Sequence, residues 1–101
     1  MDVDVLYQYC GLDFIWDAQK AVANLAKHGV RFEQACEVFT DPLVRFVDAS
    51  PKDEAREGLV GQSEQGRLLF VVHIEQESER IRIISARPAT ATERSDYEEY
   101  A

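Results

Sequence analysis

The chain is poor in cysteine, proline and glycine, with two, three and five of each among 101 residues. Cys10 and Cys36 form no CxxC pair and have no cluster of histidine and cysteine around them, so we expect free thiols, no metal site and no cofactor. The chain also lacks an internal repeat and a linker rich in proline, glycine or serine. Its length suits one packed core, and the sequence therefore predicts a single domain over residues 1–101.

Long hydrophobic runs are missing as well. The longest, "LLFVV" at 68–72, is far shorter than the roughly 20 apolar residues that a membrane-spanning helix needs. The first residues, "MDVDVLYQYCGLDFIW", carry acids where a secretory signal requires lysine or arginine. We therefore expect a cytoplasmic protein without membrane contact.

Positive charge is scarce: 11 lysines and arginines face 19 acids, which gives a formal net charge of −8. Such a balance opposes unspecific attraction to nucleic acid, so any contact with RNA or DNA requires a local basic site. Eight of the basic residues are arginines, whose planar fork binds phosphate or carboxylate through two parallel hydrogen bonds. Six of these eight lie in the second half of the chain: Arg56, Arg67, Arg80, Arg82, Arg87 and Arg94.

Apolar periodicity predicts two helices in the first half of the chain. After a short strand at 14–16, "DAQKAVANLAKHG" has Asp17 as a plausible N-cap and Gly29 as a C-terminal cap. Its apolar stripe of Ala21, Val22, Leu25 and Ala26 is predicted to face the core. Phe32, Ala35, Cys36 and Phe39 have the spacing of a second helix, which Asp41-Pro42 ends.

The second half of the chain has the period of β-strands. Four β-rich segments separated by polar turns predict an antiparallel meander, with 67–74 and 80–85 as a hairpin: 43–47, 57–61, 67–74 and 80–85. Thr90 and Glu93 have the spacing of a capping box, which predicts a C-terminal helix. The predicted fold is α+β, with two N-terminal helices, an antiparallel twisted sheet of four to five strands and a C-terminal helix.

Several segments in this order resemble one family. They are "WDAQKAVANLAKHGVRFEQACEVFTDP" at 16–42, Glu54-x-Arg56 followed by Gly61, "GRLLFVVH" at 66–73, "RIISAR" at 82–87, and Glu93-Arg94-x-x-Tyr97. Together they resemble the BrnT family of bacterial type II toxins over about residues 14 to 100. Residues 1–13 look like an N-terminal extension. The resemblance implies a RelE-like ribonuclease fold, an activity that cleaves RNA and stops translation, and a BrnA-like ribbon-helix-helix antitoxin that carries the DNA-binding segment.

Metal-free RNA cleavage needs cations at the phosphorane that forms when the ribose 2′-OH attacks phosphorus. Arg82 and Arg87 are the first candidates. In strict alternation they would lie on opposite faces of one strand, so a shared pocket requires a twist, a bulge or a strand end near Ser85-Ala86. The alternatives are a cross-strand ion pair of Arg82 with an acid such as Glu75, and a pair of Arg87 with helix acids. Arg80, beside an acidic tip, is predicted to be a solvated surface charge.

Proton transfer also needs a titrating group, and His73 lies on the strand predicted to pair with 80–85. It could equally be a packed histidine. Lys27 and His28 end the first helix, where cations interact favourably with the helix dipole. Within the family resemblance their Lys-His-Gly motif could instead present a cation to phosphate, which makes Lys27 a catalytic candidate as well as an RNA-binding one.

The remaining candidates have equally plain structural alternatives. Arg56 could reach the same pocket as Arg82 or could pair with Glu54. Arg67 is a candidate RNA-binding residue, as are Arg94 and Tyr97, which lie one helical turn apart and could simply pack and pair.

Two functions remain open at this point. One is an endoribonuclease toxin that a partner neutralises. The other is a non-catalytic binding module that keeps the toxin fold, for which the net charge of −8 is the main argument. In either case DNA would be contacted only through the antitoxin, because an acidic chain is a poor DNA binder.

Overall fold

The structure, a computed structural model, describes residues 3–49, 56–76 and 78–99. Two strands come first, β1 (Asp4–Tyr9) and β2 (Leu12–Asp17), and are followed by the helices α1 (Ala18–His28) and α2 (Phe32–Val38). Four further strands, β3 (Arg45–Asp48), β4 (Glu57–Gln62), β5 (Leu68–Glu75) and β6 (Ile81–Pro88), precede α3 (Ala91–Glu99). The fold is thus α+β with three helices.

The sheet differs from the predicted one in size and direction. It has six strands in the order β1-β2-β6-β5-β4-β3, and β2 runs parallel to β6 while the other neighbours are antiparallel. The prediction of an antiparallel sheet of four to five strands that follows two N-terminal helices was therefore wrong in these details. The predicted hairpin of 67–74 with 80–85 is confirmed by the pairing of β5 with β6.

The first strand lies in the segment that the sequence left without secondary structure. β1 pairs with β2 along its whole length through a turn at Cys10-Gly11, where φ is +50° and +80°. Positive φ at both central residues is typical of the tight hairpin turn that matches the twist of a sheet, and glycine makes the second position favourable. Whether residues 1–13 are an addition to the family domain stays a prediction.

Helix α1 begins and ends as predicted, but it packs against the rest of the protein through a side other than the predicted one. The Asp17 carboxylate accepts hydrogen bonds from the backbone of Gln19 and Lys20, and Gly29 caps the C-terminus in the left-handed conformation. The predicted core stripe was wrong for Val22 and Leu25, which are 71% and 37% exposed, whereas Ala21 packs against the core as predicted. The buried residue of this helix is the polar Asn24.

Asn24 is buried because its side chain forms hydrogen bonds with the backbone of β6. Only Ile81 and Arg82 of β6 pair with β2, so the rest of β6 has no neighbouring strand on that side. Helix α1 lies there instead. The Asn24 side chain accepts from the backbone N–H of Ala86 at 3.1 Å and donates to the carbonyls of Ala86 and Val30 at 2.8 and 3.0 Å. The amide of Asn24 thereby provides hydrogen bonds to backbone groups that no neighbouring strand reaches. Buried polar groups need such partners.

The core lies on the sheet face that α2 covers. Phe32, which was predicted to be buried, is 1% exposed there, and Phe39 is partly buried against the same core. This core includes Phe14, Trp16, Val30, Phe32, Ala35, Cys36, Val38, Leu59, Leu69, Val71, Ile83 and Ala86. On the opposite face, Tyr97 of α3 packs with Val60 and Leu68 in a smaller cluster. None of the helices in the described part of the chain is long and apolar enough to cross a membrane.

Candidate nucleic-acid interface

A bulge in β6 brings Arg82 and Arg87 to the same face of the sheet. Arg87 pairs with Phe70, Ser85 with Val72, and Arg82 with Ile74, and these three β5 residues alternate along one face. The register skips Ile84, where the bulge inserts one extra residue into β6. The sequence had required such a break near Ser85-Ala86, and the structure places it one residue before that step. We call the surface formed by Arg82, Ser85 and Arg87 the arginine face.

Arg87 is held by an acid from the last helix. Its Nη1 and Nη2 donate to the two carboxylate oxygens of Glu93 at 2.8 and 2.9 Å, and its guanidinium lies 4.3 Å from the ring centre of Phe70. Thr90 and Glu93 also form the predicted capping box, with bonds of 2.8 and 3.1 Å between each side chain and the other's backbone N–H. The hydrogen bonds from Arg87 outweigh burial and keep the pKa of Glu93 below its usual range.

Arg82 has a weaker partner. It approaches both carboxylate oxygens of Asp4 at 3.3 Å, and the Asp4 side chain is 47% exposed. Arg82 thus forms an ion pair, which was one of its two alternatives, but the acid is not Glu75, the example that the sequence offered, because the first strand supplies it. An exposed ion pair of this kind contributes about 0–1 kcal/mol.

The two arginines form two separate anion-binding positions. They are five positions apart, which corresponds to at most about 16 Å between their Cα atoms, and their forks hold different acids. The sequence had suggested one cationic pocket with both arginines at its centre. The geometry instead suits an extended anionic chain that runs along β6 and meets one arginine at each end.

The end of α1 adds further positive charge beside β5. Lys27 and His28 occupy its last turn, and Arg67 donates to the Gly29 carbonyl at 3.1 Å. Because Leu69 pairs with Pro88, this group lies at the Arg87 end of the sheet. Lys20, seven residues before Lys27, lines a groove with Arg82. Sequence analysis missed Lys20, although a spacing of seven places both lysines on one side of a helix.

His73 lies on the opposite face of the sheet from both arginines. It alternates with Leu69 and Val71 and is 1% exposed. Burial lowers the pKa of its imidazole, although the carboxylates of Glu57 and Glu75 act in the other direction. The structure therefore does not bring this histidine together with Arg82 and Arg87, and an acid–base role for it stays a prediction.

The other candidate residues are scattered. Arg56 directly precedes β4, and its proposed partner Glu54 lies outside the described residues. Arg94 forms an exposed ion pair with Glu98 at 3.7 Å. Tyr97 is buried, and its hydroxyl donates to Asp41 at 2.6 Å, which fastens α3 to the loop after α2. Arg80 is exposed, as predicted.

Comparison with known proteins places the arginine face within a recognised domain. A family model described as the ribonuclease toxin, BrnT, of a type II toxin-antitoxin system matches residues 16–93, a range that contains Arg82, Arg87 and Glu93. The fold is similar to the crystal structure of the Brucella abortus ribonuclease toxin, BrnT, with a TM-score of 0.60 and 23% identity. That similarity covers 74% of this chain and 92% of the other. Comparison with curated proteins gave no match.

Proposed function

Since the chain belongs to the BrnT family of ribonuclease toxins of type II toxin-antitoxin systems, we propose that it cleaves RNA on its arginine face without a catalytic metal ion. The observation that carries this proposal is the β6 bulge, because it aligns two arginine forks on one face of the sheet. Each fork already holds a carboxylate through two nitrogens, and arginine recognises phosphate oxygens in the same way.

Arg87 is the arginine that acts on the scissile phosphate. The ring of Phe70 and the Pro88 carbonyl, which accepts from Arg87 Nη1 at 3.1 Å, hold the guanidinium even when a phosphate replaces Glu93, whereas Arg82 faces a half-exposed acid across longer distances. A fixed donor stabilises developing charge better than a mobile one, because it needs no reorganisation during the reaction. Arg82 then holds a neighbouring phosphate of the same strand, and Lys27, His28 and Arg67 remain candidate RNA-binding residues near the Arg87 end of the sheet.

Glu93 is the proton acceptor in this proposal. A phosphate that takes over the Arg87 fork releases the carboxylate, whose pKa then rises toward its ordinary value because the bonds that lowered it are broken. The released carboxylate can take the proton from the 2′-OH as its oxygen bonds to phosphorus, and water protonates the 5′ oxygen as the bond between phosphorus and that oxygen breaks. Sequence analysis had identified Glu93 as a helix cap and as part of the family motif, and had given helix acids as possible partners of Arg87, but it had assigned Glu93 no catalytic role.

Cleavage of cellular RNA in the cytoplasm would stop translation, and a BrnA-like ribbon-helix-helix antitoxin would neutralise it. Acidic side chains of such a partner would compete with RNA phosphate for Arg56, Arg82 and Arg87. Since the chain carries a net charge of −8, contacts with operator DNA would have to come from that partner. The RelE-like character of the fold belongs to the same proposal.

The test is expression of the chain alone in a bacterial host, with growth and RNA integrity followed over time. Growth arrest with RNA fragmentation that co-expressed antitoxin suppresses is the expected result. One observation favours the second candidate, a non-catalytic binding module: both arginine forks hold acids of the chain itself. Normal growth and intact RNA, combined with recovery of the antitoxin in a pull-down, would establish that second function instead.

A further inference from the structure

Three potential metal ligands meet on the side of the sheet away from the arginine face. Glu57 of β4 pairs directly with His73 of β5, and Glu75 follows two residues later on the same side of that strand. One donor atom from each residue lies within 4.8 Å of the other two. The two carboxylates are exposed and the imidazole is buried. Packing therefore holds the histidine in place, while solvent reaches the two acids.

The imidazole of His73 lacks the hydrogen bonds that a buried ring normally makes. Its side chain is 2% exposed, and its Nδ1 is buried without a hydrogen-bond partner among the described residues. Its Nε2 points to Glu57 but stays 3.6 Å from the Oε2 atom, which is beyond hydrogen-bonding distance. Buried polar groups in proteins are nearly always satisfied, and Nε2, which faces the Glu57 carboxylate without a hydrogen bond, is the nitrogen that an ion between these side chains would occupy.

We propose that Glu57, His73 and Glu75 bind a divalent transition-metal ion of the zinc class. One imidazole nitrogen with two carboxylate oxygens is a donor set that zinc accepts, with water as a fourth ligand. Tetrahedral bonds of about 2.0–2.2 Å place neighbouring ligand atoms about 3.3 Å apart, close to the separation between His73 and Glu57. The exposed Glu75 carboxylate can cover the remaining distance by a change of rotamer.

The ion would join β4 to β5 on the side of the sheet that α2 covers, so it would stabilise the fold and leave cleavage on the arginine face metal-independent. The sequence had predicted no metal site because it offered no cluster of cysteine and histidine close together in the chain. Pairing of two strands creates this one. The inference goes beyond the proposed ribonuclease function and does not depend on it.

The test is calorimetric titration of Zn²⁺ into tag-free, chelator-treated protein that carries Cys10→Ser, because the exposed Cys10 thiol is a competing zinc ligand. We expect one ion to bind per chain and the thermal unfolding midpoint to rise. Glu57→Gln and Glu75→Gln each remove a ligand from an exposed position without opening the core. Each should weaken binding about tenfold or more, since even changes to residues behind the ligands cost that much.

Matched controls separate this site from adventitious binding. Glu98→Gln removes an exposed acid on α3, and His28→Gln removes the other histidine of the chain. Both should bind Zn²⁺ as the Cys10→Ser protein does. Co²⁺ should give the visible absorption of a four-coordinate site, which Glu75→Gln should abolish. Unchanged affinity in both ligand variants, or an equal loss in His28→Gln, overturns the proposal whatever the RNA cleavage assay shows.

Discussion

The guanidinium of Arg87 and the carboxylate of Glu93 face each other through two hydrogen bonds of 2.8 and 2.9 Å. The pair joins the last strand to the first turn of the last helix, and its side chains are 33% and 21% exposed. An acid of the chain thus occupies the position that the proposed function assigns to an RNA phosphate.

Replacing Arg87 should mainly affect the rate of RNA cleavage, and replacing Arg82 should mainly affect RNA binding. Arg87→Ala should lower the rate constant of RNA cleavage about 10²-fold or more, because it removes a donor to the transition-state charge. Arg82→Ala should mainly raise KM, since Arg82 holds a neighbouring phosphate. Arg87→Lys should retain only part of the wild-type cleavage rate, because lysine lacks the planar guanidinium with its two parallel donors. Single-turnover cleavage of a labelled RNA measures both effects.

The matched control for these variants is Arg80→Ala, which removes an exposed arginine from the same end of the chain. It should cleave RNA at the wild-type rate. Undiminished cleavage by the Arg82→Ala/Arg87→Ala double variant, at unchanged stability, would exclude the arginine face as the active surface.

Glu93→Gln tests the proton acceptor. Glutamine keeps the size and the capping capacity of the side chain, so the fold should persist. RNA should bind as tightly or more tightly, because no charged competitor remains on Arg87, while cleavage should fall about 10²- to 10⁴-fold. Filter binding and the cleavage assay report the two quantities separately. Wild-type cleavage by this variant would show that another group takes the proton.

Tyr97 and Asp41 predict a pH dependence of stability. Burial would raise the pKa of Asp41, but hydrogen bonds from Tyr97 and two backbone groups outweigh it and lower that pKa. A lowered pKa in the folded state contributes stability above the unfolded value of about 3.9, which is lost as the pH falls through the folded pKa. Burial and the Asp41 carboxylate raise the pKa of Tyr97 to about 12. Its contribution is therefore present below pH of about 10 and is lost as the pH rises toward the folded pKa.

Tyr97→Phe should weaken both the alkaline and the acid dependence. Part of the alkaline dependence should remain, because the pKa values of Tyr7, Tyr9 and Cys36 are raised as well. At neutral pH it should cost about 1.5–3 kcal/mol, the range for a hydrogen bond to a charged group. Urea unfolding from acid to alkaline pH measures these effects, with the exposed Ser95→Ala as control. If wild type and Tyr97→Phe lose stability in parallel above pH of about 10, the assignment to Tyr97 is wrong.

We expect the replacement of Asn24, a polar residue of a helix, to lower the stability of the fold strongly. Asn24→Ala leaves the backbone N–H and carbonyl of Ala86 and the carbonyl of Val30 without this partner. Since each buried unsatisfied group costs about 1–3 kcal/mol, a loss of about 3 kcal/mol or more is expected. Chemical denaturation measures it, with the exposed Gln19→Ala as control. A difference from the control below about 0.5 kcal/mol would contradict this role.

Much of the fold could be predicted from local sequence signals. The Asp17 and Gly29 caps, the capping box of Thr90 and Glu93, and the hairpin of β5 with β6 were all predicted and are confirmed. Each depends on residues close together in the chain, where spacing alone decides the geometry. Val22 and Leu25 show the limit of that reasoning, since they form a helical stripe but remain exposed. What a helix packs against is decided by distant residues.

The sequence by itself determined the α+β class, the family resemblance and the arginine-rich strand, because local periodicity and motif order carry that information. Tertiary structure alone decided which side chains meet. The bulge at Ile84 turns Arg82 to the face of Arg87, β1 supplies Asp4, and the pairing of β4 with β5 sets Glu57 against His73. The physical reason is that strand register and direction depend on pairing between distant segments, and a shift of one residue moves every side chain to the opposite face.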